Sequence, residues 1–242
     1  MTKYNENFIN IRLSEKTVYI YSVRKLLHSV IDKNLKLFYG TLLDLGCGEM
    51  PYRQYLLDKN KRIKKYIGMD IDYNQYHQCV NPDMYWDGKS INLDNNSVDT
   101  VIATELFEHI PNIEQVLGEI CRVLSDKGIL FFTVPFIWPL HETPFDEYRY
   151  TPYYLKRLLK KAGLKNINIR PLGGYNASLA QMICIWIANN KNDFSLSKKA
   201  GFLEKFILYP IIEKLLRRDK QLKLTIFGEN TMSPGFYGYA KK

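Results

Sequence analysis

The sequence predicts an α/β protein with a doubly wound parallel sheet. Three observations carry that prediction. Short, almost wholly apolar runs of strand length recur along residues 40–135, as in strands buried on both faces. Patterns of helical period stand between them. The first run, Leu42–Leu45, stops at Gly46-Cys47-Gly48 and is followed by Pro51, the residue suited to the first position of a helix. A length of 242 residues fits one such domain with a modest addition, and 46% hydrophobic residues suffice for its core.

The strand–glycine turn–helix at residues 41–53 is the organising stretch. Bare backbone in such a turn lets a nucleotide-like ligand approach, and N–H groups point at it. Two details choose the ligand. A dinucleotide fingerprint has a third glycine where this chain has Pro51. Asp44 stands at the strand end, where a carboxylate repels a pyrophosphate and suits a cationic or amine-bearing ligand. Leu-Asp-Leu-Gly-Cys-Gly resembles the first motif of class I S-adenosylmethionine (SAM)-dependent methyltransferases. The resemblance assigns Asp44, Gly46, Cys47 and Gly48 to the cofactor.

The remaining elements follow in order. Residues 14–38 have a helical apolar pattern, with Ser14 as its cap; a helix before the first strand closes over the ligand site or packs on the sheet. Pro51–Leu57 forms a short helix, and Tyr66–Asp72 the second strand. Asp70, some twenty residues past the glycines, accepts hydrogen bonds from both ribose hydroxyls, as in other nucleotide-binding βαβ units. By resemblance, Ile71 flanks the adenine. Met84-Tyr85-Trp86 is a brief third strand leading to Asp87-Gly88; Asp87 reads the adenine amino group by resemblance, or is a turn aspartate. Ser97–Ala103 is the fourth strand, whose tip brings Thr104 and Glu105 to the cofactor. Asn112 caps the helix Ile113–Leu124, Lys127-Gly128 turns, and Ile129–Val134 is the fifth strand.

Through Val134 the order of motifs resembles the type 11 methyltransferase domain family. That resemblance implies methyl transfer from SAM and a Rossmann-like, seven-stranded sheet of order 3-2-1-4-5-7-6 with one antiparallel strand and helices on both faces.

The segment Pro135–Thr151 follows the fifth strand, so it lies at the ligand end of the sheet. Its prolines stiffen it, and its aromatics alternate with His, Glu, Asp and Arg. Such stiff aromatic walls with few polar groups suit a small-molecule pocket. Trp138, Arg149 and Tyr150 are the candidate substrate contacts; Arg149 binds an acidic substrate or pairs with Asp146 or Glu147. His141, then His109, then Asp146 are the candidate bases, against structural roles for each. The segment also looks like one in type 11 relatives associated with surface-glycan biosynthesis, which points to a sugar hydroxyl as acceptor.

Thr151-Pro152 caps a helix over Tyr153–Ala162. Lys165–Arg170 is the sixth strand and Phe236–Ala240 the last. The domain divides into an N-terminal helical cap (1–38), a core (39–175) and a helical insertion (176–234). The insertion holds two apolar-rich segments, Ala177–Ala188 and Phe202–Leu216, with Pro210 kinking the second.

Charge is uneven. Residues 151–242 hold 17 Lys+Arg against 5 Asp+Glu, whereas residues 1–150 hold 17 against 20. The basic third is a solvated face or meets an acidic partner or anionic membrane surface, with 202–218 as a candidate peripheral membrane contact or homodimer face. Nucleic acid is disfavoured: Thr104-Glu105-Leu106-Phe107 stands where DNA methyltransferases carry Asp/Asn-Pro-Pro-Tyr/Phe, although RNA ribose methylation stays open, as does a non-catalytic SAM-binding partner protein. The four cysteines have no CxxC spacing, so neither a zinc site nor a disulfide framework is read. A cytoplasmic protein without a signal peptide is expected.

Overall fold

The structure, a computed structural model, describes residues 4–72, 80–190, 204–221 and 230–242. The chain divides into two compact units, Ile31–Arg170 with Phe236–Lys242, and Met1–Val30 with Pro171–Gly235.

The first of these units is built on a seven-stranded mixed sheet. Its strands are β1 (Gly40–Leu45), β2 (Ile63–Ile71), β3 (Met84–Trp86), β4 (Val98–Thr104), β5 (Leu124–Pro135), β6 (Lys165–Pro171) and β7 (Gly235–Lys241). They lie in the order β3-β2-β1-β4-β5-β7-β6, as the family resemblance implies. β1 is central: Leu43 pairs with Ile67 on one side and Val101 on the other. Its residues Leu42–Leu45 are buried, which explains their unbroken apolar run around a single aspartate.

Helix α1 (Val18–Asn34) precedes β1, and its last residues, Ile31–Asn34, enter this unit. Helix α2 (Arg53–Lys59) follows the glycine turn. Helix α3 (Ile113–Val123) buries Ile113, Val116, Leu117, Ile120 and Val123, and the Asn112 side chain accepts a 3.4 Å hydrogen bond from Gln115 N–H. Helix α4 (Pro152–Lys161) starts on Pro152, with the Thr151 hydroxyl accepting from Tyr154 N–H.

Four boundaries differ from expectation, each for a local reason. α1 begins at Val18; Ser14 instead opens a preceding turn, its carbonyl accepting from Thr17 and Val18 N–H. Met50 adopts φ 50°, so Pro51 stands in the turn and α2 starts two residues later, at Arg53. β2 begins at Ile63 because exposed Lys64 and Lys65 continue the strand, and their charge hid it from an apolar reading. β5 begins at Leu124, and Lys127-Gly128 lies inside it rather than in a turn; the pairing with β4 shifts register between Val98 and Thr100 to admit the extra length.

The other unit holds most of α1, helix α5 (Tyr175–Asn189), a π-helical stretch Glu204–Leu208 and helix α6 (Tyr209–Gln221). Val18 and Tyr21 of α1 pack with Ala177, Ala180, Cys184 and Ile187 of α5 and Ile212 and Leu216 of α6. Pro210 is the second residue of α6, directly after the π-helical stretch, so its missing N–H places the break at the π-to-α junction. Phe202 and Leu203 lie outside the described residues. Among those described, no helix is long and apolar enough to cross a membrane.

Asp219 on α6 is buried, and its carboxylate accepts from Gly174 N–H at 2.7 Å and Ala177 N–H at 3.1 Å, serving the free donors at the start of α5. Replacing it leaves buried donors unpaired. Asp219→Ala is expected to lower the unfolding free energy by about 1–3 kcal/mol, read as a lower urea midpoint; an unchanged midpoint would contradict this role.

Candidate functional site

The glycine turn joins β1 to α2. Gly46 (φ 72°) and Gly48 (φ 50°) take left-handed conformations that a side chain resists. A Cβ on Gly46 would meet Leu106 Cδ1 at 2.6 Å, so the turn packs directly against the segment after β4. A Cβ on Gly48 would meet nothing within 4 Å; its backbone borders open space, as a ligand cradle requires. Cys47 is buried beside the turn, and burial pushes its thiol well up, so it stays protonated.

Asp44 occupies the tip of β1 between Gly68 and Ile102. It is 1% exposed. Its Oδ2 accepts from the Tyr66 hydroxyl, while its buried Oδ1 has no hydrogen-bond partner among the described residues. Burial pushes its carboxyl up to about 7, against the lowering effect of Tyr66 and with a smaller push from Asp70. A buried acceptor atom lacking a donor is a stored cost that a ligand's ammonium would remove.

Asp70, at the end of β2, accepts from Gly48 N–H at 2.6 Å and, through Oδ1, from Ile71 N–H at 2.7 Å. It therefore ties the turn to β2. Ile71 is an exposed apolar side chain at that strand tip, as an adenine platform would be. Asp87 Oδ1 accepts from Lys89 and Ser90 N–H, which hold its carboxyl below the usual range. Asp87 thus forms an Asx turn with Gly88 at φ 75°. With Asp72, Tyr85 and Trp86 it lines an open groove of about 690 Å³.

Thr104 ends β4 opposite Thr133. Glu105 turns the chain at φ 51°, its N–H donating to Thr133 O at 3.1 Å. From there Leu106 reaches Gly46, and a single 3-10 turn, Phe107–His109, delivers Glu108 and His109.

The segment after β5 meets that turn. Glu147 and Tyr148 N–H donate to Glu108 O. His109 Nδ1 lies 3.1 Å from Phe145 O, and the His109 and His141 rings meet edge to face at 4.8 Å. His141 Nδ1 lies 3.1 Å from Asp146 Oδ2, and its backbone N–H donates to the same oxygen. Arg149 grips Asp146 in a fork, at 2.6 Å to Oδ1 and 2.7 Å to Oδ2. Burial raises the Asp146 carboxyl, but Arg149 and the His141 N–H outweigh it and hold it at about 2. Asp146 is therefore a fixed anion, unsuited as a base. His141 is shifted down, chiefly by burial, against an upward pull from Asp146, so it is neutral near pH 7.

The three candidate bases are thus brought together, although 32 residues separate His109 from His141. Two expected substrate contacts have other partners. Arg149 pairs with Asp146, the alternative left open by the sequence. Tyr150 is 2% exposed, its hydroxyl donates to Phe107 O, and it stacks between Tyr148 and Tyr154, so it braces the segment from within. Trp138 is half-buried, and its carbonyl lies 3.3 Å from Arg149 Nη2. Sequence reasoning missed Tyr66 and Glu108. Tyr66 carries no local signal; Glu108 adjoins His109 but reads as an ordinary charged residue until its burial is seen.

A β1 tip with an unsatisfied carboxylate, an open glycine turn, a β2 carboxylate and an adjacent apolar platform fits SAM, and the sheet order is that of class I methyltransferases. Residues 43–132 match the model of the type 11 family described as "Methyltransferase domain". Solved structures agree on the fold. A SAM-dependent methyltransferase from Archaeoglobus fulgidus is 16% identical (TM-score 0.56), the match covering 90% of this chain and 94% of that one. A putative sarcosine dimethylglycine methyltransferase from Galdieria sulphuraria is 16% identical (TM-score 0.54; 99% and 91%). Phosphoethanolamine N-methyltransferase 2 from Haemonchus contortus, in complex with SAM, is 14% identical (TM-score 0.55), and this chain spans 60% of its length. No curated protein matches the sequence.

The buried Asp44 gives a signed pH dependence. An ammonium ligand binds the ionised carboxylate, so affinity for S-adenosylhomocysteine should fall below pH 7, by up to about tenfold per unit. Calorimetric titration from pH 8 to 5.5 measures this; Asp44→Asn should bind at least roughly tenfold more weakly at pH 8 and show a flat profile. Because the folded state raises this pKa above its unfolded value, stability from Asp44 is full below about pH 4 and is lost as pH rises through 7. Asp44→Asn should abolish that loss in urea melts.

Proposed function

We propose that this protein methylates a hydroxyl of a small-molecule acceptor, in the class of sugars and lipid-linked glycan intermediates. The observation that carries the reading is the His141–Asp146–Arg149 chain. SAM supplies a methyl group on a sulfonium, which is already strongly electrophilic. The chain's own task is to hold the cofactor, align the acceptor and handle its proton.

In this reading Asp44 and Asp70 hold the ammonium and ribose, and Asp87 reads the adenine edge. Asp146, pinned by Arg149, takes the Nδ1 proton of His141 as a hydrogen bond and so fixes the tautomer. That leaves Nε2 as the acceptor for a hydroxyl proton. A histidine that is neutral at pH 7 is in the right state for this work. Phe145, whose carbonyl holds His109, is 62% exposed, and Trp138 lies in the same segment; these faces suit the apolar side of a sugar ring.

The α5–α6 unit supports a lipid-proximal acceptor. Tyr175, Leu179, Met182 and Trp186 form an exposed stripe along α5, and Phe206, Ile207 and Ile211 are also exposed. Exposed Lys205, Lys214, Arg217 and Arg218 accompany them. Apolar side chains beside clustered cations match an anionic membrane surface.

His141→Ala should lower turnover by about 10²–10⁴-fold while S-adenosylhomocysteine affinity stays within a few-fold, measured by labelled-methyl transfer to a panel of glycan acceptors and by calorimetry. Full turnover in the variant would remove His141 from the mechanism. Vesicles containing anionic lipid should sediment the protein at low salt and release it at high salt; neutral vesicles, or the double variant Leu179→Glu/Trp186→Glu, should not.

A further inference from the structure

We infer that Glu108, His109 and His141 form a binding site for one divalent transition-metal ion of the zinc type. The inference rests on the placement of the acceptor side proposed above, but on no step of methyl transfer. One ligand atom from each residue lies within 4.8 Å of the others. Glu108 is fully buried, and among the described residues neither carboxylate oxygen has a hydrogen-bond partner. A buried carboxylate with no donor is costly unless something cationic or protonated meets it. Its Oε1 lies 3.8 Å from His109 Nε2.

The two imidazoles are set as metal-binding histidines are set. A ligating histidine donates its other ring N–H to a carboxylate or backbone carbonyl, which fixes its orientation. His109 Nδ1 has the Phe145 carbonyl, and His141 Nδ1 has Asp146, itself held by Arg149. Both Nε2 atoms are left for a common ligand. Glu142 Oε2, 3.9 Å from His109 Nε2, stands where a further oxygen donor is wanted.

Bonds of about 2.0–2.2 Å to nitrogen and carboxylate oxygen need the three atoms to draw in by roughly an ångström, within the reach of side-chain rotation. Two neutral nitrogens and one carboxylate favour zinc, iron, cobalt or manganese over magnesium. His109 and His141 remain partly exposed, so an open coordination position faces the acceptor side. There an ion would receive the acceptor oxygen and lower the pKa of its hydroxyl. With the ion bound, His141 Nε2 would be a ligand rather than a base, and the proton released by the acceptor hydroxyl would pass to solvent.

The test uses the full-length protein stripped with chelator and titrated with Co²⁺, followed by visible absorption and by calorimetry with Zn²⁺. One ion per chain, with d–d bands of a nitrogen–oxygen site, is expected. Glu108→Gln should weaken binding at least roughly tenfold with an unchanged far-ultraviolet spectrum, and His109→Ala should do the same. Asp44→Asn should bind the ion normally while losing S-adenosylhomocysteine, which separates this site from the cofactor reading. Absence of binding by folded parent protein, or binding indifferent to both Glu108→Gln and His109→Ala, would overturn the inference.

Discussion

The site depends on a carboxylate that the fold forces into a place where it is expensive. Asp44 lies on the central strand, between β2 and β4, with Ile102 opposite on one side. Nothing in the sheet needs a charge there. Among the described residues only Tyr66 donates to it, and one oxygen is left bare. The chain keeps a destabilising group at the tip of β1, next to the turn in which Gly48 borders open space. A ligand that brings a positive donor turns that cost into binding energy. The rest of the first unit positions this arrangement: Gly68 leaves room for Met50 and Cys47 under the turn, and Asp70 clamps Gly48 from the neighbouring strand.

The segments after β4 and β5 follow the same logic at a second place. Among the described residues none donates to the buried Glu108 carboxylate, and burial pushes its carboxyl well above the usual range, with Glu105 adding to the push. Asp146 is no more accessible along its side chain, yet is held ionised by Arg149. Two nearby carboxyl groups are thus shifted in opposite directions, and the difference is the guanidinium fork. The sheet brings these groups together because β4 and β5 are paired neighbours whose ends both point to one edge. The strands share register at Thr104 and Thr133, so the segments that follow them emerge side by side.

Much of this was legible beforehand. The buried runs of β1 and β4, the helical face of α3 and the caps Asn112 and Thr151 all follow from local pattern, because burial on two faces and free helix donors leave marks in neighbouring residues. Lys64 and Lys65 hid the start of β2, and Ser125–Lys127 hid the start of β5, because strand pairing there is carried by backbone and side chains may face water. Cysteine spacing is likewise a local argument and is silent about the contact of His109 with His141, 32 residues apart.

The sequence by itself determined the parallel α/β order, the glycine turn and the carboxylates 44 and 70, since each is a matter of spacing along one βαβ unit. Tertiary structure alone decided how the side chains after β4 and β5 are arranged. Whether Arg149 faces a substrate or Asp146, whether Tyr150 lines a pocket or braces it, and whether His109 meets His141 are questions of rotamer and of contact between distant segments. Those are set by packing across strands, which the order of residues along one strand does not contain.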